Sequence, residues 1–197
     1  MHPHRLVAPV LGLTALLLFF LAGVPRTGAV EAGTALRLEI EDLARRADLV
    51  VEGRVIATRA FRDLRGEVRT EFVLSVDETY AGEPFGTRRI ELPGGVLPDG
   101  SGTLIAGMPS LALGEDALLF LTGESASGLR VPVGLAQGKL RLVRDGVGRL
   151  GLLRDAAELT LLDPASGASA PAPLPAMLDH ADVIRRVRSA RNRVEAR

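Results

Sequence analysis

The sequence predicts a mainly β, antiparallel fold with a short N-terminal helix and a tethered C-terminal helix. Three observations carry that expectation. Leu49 to Phe61 and Val68 to Tyr80 are long stretches of alternating apolar and polar residues, separated by the turn Asp63-Leu64-Arg65-Gly66, the pattern of a half-buried hairpin. Ala117-Leu118-Leu119-Phe120-Leu121 is an unbroken apolar run of strand length, as expected at the centre of a sheet. Helical signals are confined to two places, just after Glu39 and from Met177 onward.

Taken in order, Leu36 to Ile40 reads as an extended lead-in. Glu41 to Ala47 reads as a two-turn helix, because Glu39, Glu41 and Asp42 stand at its start and Arg45 and Arg46 at its end, each matched to the helix dipole. In the first long strand Leu49, Val51, Val55, Ala57 and Phe61 share one face, and Glu52, Arg54, Thr58 and Arg62 the other. Gly53 marks a bend or bulge. In the second strand Val68, Thr70, Phe72, Leu74, Val76 and Tyr80 point inward, and Arg69, Glu71, Ser75, Asp77 and Thr79 outward. Arg88 to Leu92 is a short third strand, and Pro93 to Gly107 is a loop rich in proline and glycine. After the central run, Arg130 to Gln137 reads as a strand, and Lys139 to Val143 pairs with Val147 to Leu152 across Asp145-Gly146. Asp163 to Ala176 has the Pro, Ala, Ser and Gly composition of a linker. Met177 to Arg197 reads as a helix with a strongly basic end.

The 197 residues suit one domain with an appendage. Leu6 to Val24 is apolar apart from Pro9 and Thr14, follows His2, His4 and Arg5, and precedes the small residues Thr27, Gly28 and Ala29. This reads as a secretory signal peptide over residues 1–29, cleaved after Ala29 or after Ala32, with an uncleaved anchor as the alternative. Either way the remainder is expected to be exported, periplasmic or extracellular. The whole chain has 24 basic and 24 acidic residues, and loss of Arg5 and Arg26 with the leader leaves a net charge of −2. That balance gives no global field for nucleic acid or other polyanions.

The chain has no cysteine, so thiolate nucleophiles, cysteine-based metal sites and disulfides are excluded. Lys139 is the only lysine, and His180 the only histidine beyond the leader. Without a second histidine, a serine triad or a zinc set has no base or ligands to draw on. No cofactor or metal is expected. His180 lies between Asp179 and Asp182, a pattern open to an oriented base or metal ligand, and is expected to be a solvated helix start with acids in its first turn.

A short helix leads into Ala47-Asp48-Leu49-Val50-Val51-Glu52-Gly53-Arg54-Val55. A long strand then ends in Asp77-Glu78-Thr79-Tyr80-Ala81-Gly82, and Gly114-Glu115-Asp116-Ala117-Leu118-Leu119-Phe120-Leu121 follows. This order resembles a group of uncharacterised exported bacterial proteins and, more distantly, the netrin-like, tissue-inhibitor-of-metalloproteinase type of OB barrel. The resemblance covers about Leu36 to Arg144 and implies an OB-like antiparallel β-barrel. Inhibitors of that type use an N-terminal cysteine, which this chain lacks, so their mechanism carries over to no residue here. The expected organisation is a leader at 1–29, a barrel at 30–162, a linker at 163–176 and a basic helix at 177–197.

Barrel loops commonly carry recognition, so the candidate binding residues are Gly94, Gly95, Asp99 and Gly100 of the long loop with Met108 just after it, and Gln137 and Lys139 of Gly134-Leu135-Ala136-Gln137-Gly138-Lys139. The function expected is non-catalytic binding of a protein or peptide, with the membrane involved only through an uncleaved N-terminus. Two alternatives stand beside it. One is a metal-independent envelope hydrolase using carboxylates among Glu52, Glu71, Asp77, Glu78 and Glu91; the other is a membrane-anchored structural protein.

Overall fold

The computed structural model describes residues 33–154, 156 and 158–195. The expected leader and its cleavage points lie outside them. The chain builds β1 (Gly33–Leu36), α1 (Ile40–Arg46), β2 (Leu49–Arg62), β3 (Val68–Ala81), β4 (Thr87–Pro93), β5 (Gly95–Val96), β6 (Gly102–Thr103), β7 (Asp116–Leu121), a 3-10 turn (Leu135–Gly138), β8 (Lys139–Arg144), β9 (Leu150–Arg154), β10 (Leu159–Leu162), β11 (Ser169–Pro171), β12 (Ala176–Asp179) and α2 (His180–Glu195).

Seven strands form one antiparallel sheet in the order β12-β9-β8-β7-β2-β3-β4. β7 is central, as its all-apolar run predicts, because both of its faces are covered. Leu118 and Phe120 meet α1 and α2 through Leu43, Val183 and Val187, and Ala117, Leu119 and Leu121 meet Val51, Val55, Leu74, Ile90 and Leu111 on the other side.

The sheet is open, with β12 and β4 at its edges, and no closed barrel is found. Single bridges join Leu129 to Glu91 of β4 and Pro132 to Leu121 of β7. The strand expected at 130–137 does not form beyond the Pro132 bridge, because Gly134 and Leu135 take left-handed φ angles of +69° and +59° and turn the chain into the 3-10 segment.

Alternation along β2 is interrupted by register shifts between Val50 and Val51, Glu52 and Gly53, and Val55 and Ala57. Each shift resets which side chains share a face. Consequently Ala57, expected inward, is exposed, and Phe61 is half-buried beneath the Arg59 guanidinium. A Cβ on Gly53 would run into the Ser75 carbonyl, which is why the bulge falls at a glycine.

Loop chemistry repeats. In Asp63–Glu67, Leu97–Ser101, Ser125–Leu129 and Asp145–Arg149 the first residue's carbonyl accepts from a glycine N–H three residues on, and its own N–H donates to the carbonyl of the fifth residue. The glycines Gly66, Gly100, Gly128 and Gly148 all have φ near +81° to +82°, the left-handed position of a type I turn followed by a bulge. The β8–β9 connection is therefore five residues turning at Gly148, not the two-residue Asp145-Gly146 turn the sequence suggests.

The C-terminal third departs furthest from expectation. β10 pairs in parallel with β1 and antiparallel with β11, so the predicted linker carries part of a three-stranded sheet. β12 pairs with β9, and this delays the helix to His180. α2 is docked rather than tethered: Val183, Ile184, Val187 and Ala190 are buried in the same cluster as Ile40, Leu43 and Phe120. Each fully buried aliphatic side chain there contributes about 1.5 kcal/mol or more. Arg186 makes two 2.7 Å bonds to Glu41, and Arg191 donates to the carbonyls of Ala44 and Ala47 at 3.2 and 3.0 Å, satisfying acceptors that the end of α1 leaves open.

Candidate functional site

Where α2 begins, it crosses β2 and the end of β3. Glu52, on the helix-facing side of β2, is buried, and its Oε2 accepts from the Tyr80 hydroxyl at 3.1 Å and lies 2.9 Å from Nε2 of His180. His180 is thus not a solvated helix start. Its carboxylate partner is 128 residues away and not the neighbouring Asp179 or Asp182. Asp179 instead accepts from the Asp182 N–H at 2.8 Å, and Asp182 pairs with Arg185. Burial, with the Glu52 carboxylate beside it, pushes the Tyr80 phenol above its ordinary range. The hydroxyl therefore stays protonated and serves Glu52 as a donor.

Outside this triad lies a cleft of about 430 Å³ lined by Tyr80, His180, Ala181, Ile184, Arg185 and Arg188. The Arg188 guanidinium stands 5.5 Å from the centroid of the Tyr80 ring, a cation–π distance. Its side chain has no hydrogen bond or ion pair among the described residues. The cleft therefore combines an apolar floor, an aromatic wall and cationic side chains.

The seven residues singled out by the sequence do not converge. Gly94, Gly95, Asp99 and Gly100 sit on the small β5–β6 hairpin, which is fixed to β3: the Thr70 hydroxyl donates to the Gly94 carbonyl at 2.7 Å, and the Gly94 N–H donates to the Val68 carbonyl at 2.8 Å. A Cβ at Gly94 would meet the Thr103 carbonyl at 2.8 Å, so close backbone approach requires this glycine. Asp99 caps its own turn through the N–H and hydroxyl of Ser101 at 2.9 and 2.7 Å. Met108 is half-buried against the Leu111 side of the core.

Gln137 is 0% exposed. It accepts from the Leu38 N–H at 3.0 Å and donates to the carbonyls of Leu36 and Gly134 at 2.8 and 3.1 Å, pinning the segment between β1 and α1. Lys139 is 2.6 Å from both Glu115 Oε1 and the Ser110 carbonyl. Both side chains are spent inside the fold.

Of the five carboxylates considered for acid–base work, Glu52 is held by Tyr80 and His180, and two more are held by arginine. Glu71 and Glu91 face each other across β3 and β4, but Glu71 lies 3.7 Å from Arg59 and 3.9 Å from Arg89, and Glu91 lies 3.4 Å from Arg69. Arg69, expected outward, is buried, where it also reaches Asp63 at 2.6 Å and the Ser127 carbonyl at 2.7 Å. Asp77 and Glu78 are exposed beside a second, smaller cleft at the β3–β4 turn. Among the described residues no group of three potential ligands could hold a metal ion, and no helix is long and apolar enough to cross a membrane.

Sequence reasoning missed the Glu52–Tyr80–His180 triad because it equated the second face of β2 with solvent. The available signal was Leu49-Val50-Val51: three consecutive apolar residues before Glu52 mark a strand covered on both faces. Comparison with family models and with curated proteins finds no match to this chain.

Proposed function

We propose that this chain is an exported, non-catalytic binding module that takes a protein or peptide on the β5–β6 hairpin. The observation that carries this reading is the hairpin's apolar rim: Val96, Leu104 and Ile105 are 58%, 72% and 38% exposed on a backbone held in place from β3. Large apolar side chains grouped on a fixed loop favour contact with a partner's apolar surface. Export rests on the Leu6 to Val24 pattern. The OB-like barrel remains part of the proposal, supported by the bridges of Leu129 and Pro132, which reach from β4 to β7.

Affinity capture from the native exported fraction, with wild type and a Val96→Ser, Leu104→Ser, Ile105→Ser variant as baits, tests the site. A stoichiometric protein retained by wild type and lost with the variant supports it. Equal retention by both baits refutes the hairpin as the site, and turnover of an envelope polymer in place of capture refutes the non-catalytic reading.

A further inference from the structure

We propose that the cleft between β3 and α2 is a second site, one that binds a small organic carboxylate with a branched or aromatic apolar body. The lining of the cleft calls for two halves of such a ligand. Ala181, Ile184 and the Tyr80 ring supply apolar surface, and Arg188 supplies a guanidinium whose donors have no acceptor among the described residues. A guanidinium presents a planar fork of N–H groups that matches a carboxylate in two-point contact.

The surrounding charges favour the same sign of ligand. No residue lining the cleft carries a carboxylate. Glu52, the nearest one behind it, is covered and already engaged by Tyr80 and His180. Those two contacts also fix the aromatic wall, so the site is formed before the ligand arrives. Arg185 is partly neutralised by Asp182, which leaves Arg188 as the principal anchor. Three carboxylates oppose an anion: Glu52, which is buried and engaged, Asp182, which is paired with Arg185, and exposed Glu78, whose charge is felt at the Tyr80 hydroxyl.

The site reports on itself. Tyr80 is the only tyrosine and the chain has no tryptophan, so tyrosine emission, excited at wavelengths where phenylalanine does not absorb, comes from the cleft wall alone. Titration of the full chain with 4-methylpentanoate, which has no chromophore, should give a saturable change in tyrosine emission with a Kd of about 1 mM, ordinary for so few ligand atoms. The isosteric 4-methylpentanamide and inorganic phosphate should each bind at least about tenfold more weakly, since each lacks one half of the match. Arg188→Gln should lose about tenfold. Glu78→Gln should bind more tightly, and Arg193→Gln, at the far end of α2, should match wild type.

Equal response to acid and amide, or full affinity in a folded Arg188→Gln protein, would overturn the proposal. So would phosphate or anionic phospholipid vesicles binding as tightly as the carboxylate, which would mark a bare anion or membrane-surface site.

Discussion

Replacing Gln137 with leucine removes the latch that holds the segment between β1 and α1 while leaving a side chain of similar volume. The Leu38 N–H is buried, and without Gln137 Oε1 it has no acceptor. An unpaired buried donor costs about 1–3 kcal/mol. The Gly134 carbonyl, half-buried, loses one donor, whereas the Leu36 carbonyl belongs to a residue 44% exposed and can turn to water. Together these losses come to about 3 kcal/mol, a large share of the ~5–15 kcal/mol that stabilises a typical domain. With a urea slope of about 2 kcal/mol/M, the unfolding midpoint of Gln137→Leu should fall by about 1.5 M. Gln137→Glu should lose at least as much near neutral pH, since a carboxylate turns an acceptor toward two carbonyls. A midpoint for Gln137→Leu within about 0.3 M of wild type would refute the assignment, showing that α1 is positioned by its apolar contacts alone.

Two further outcomes are expected. Arg186 holds the Glu41 carboxyl down from its ordinary 4.5 to about 2. This contribution is complete above pH 4.5 and fades as the pH falls toward 2, where the folded form too becomes protonated. Arg186→Met should therefore be less stable than wild type near neutral pH and converge on it toward pH 2, as read from urea midpoints; a constant gap at every pH would refute the pairing. Gly148→Ala, at φ +82°, should cost about 1 kcal/mol and lower the melting temperature by about 2–4 °C, whereas Gly146→Ala should be neutral. Equal shifts would place the left-handed residue elsewhere in the turn.

What the sequence disclosed depended on how local the controlling interaction was. The β2–β3 hairpin, β4, the central position of β7 and the charge-matched α1 were all legible, because each follows from periodicity or end charges within a dozen residues. Gly53 announced its bulge for the same reason. Long-range pairings were not legible. Nothing near Asp163–Ala176 indicates that β11 will find β10, or that β12 will cover the edge of β9, since short Ala- and Pro-rich strands owe their existence to their neighbours. The candidate site follows the same rule: in the sequence, glycines needed for close backbone approach look like a ligand loop, and Gln137 and Lys139 like contacts, although their partners are internal. The sequence shows His180 only Asp179 and Asp182 as neighbours, while the residue it bonds lies on β2.

The pairing of α1 with α2 also sets an order of events. Arg186 and Arg191 clasp residues 41 to 47 across about 145 positions of chain, and β1 waits for β10 in the same way. A chain emerging N-terminus first can form the β2–β3 hairpin early, but Ile40 and Leu43 lack part of their cover until the final helix arrives. Such distant contacts slow folding, because loop closure must come before the contacts reward it. The polypeptide therefore completes its core only once Val183 to Ala190 of α2 are in place.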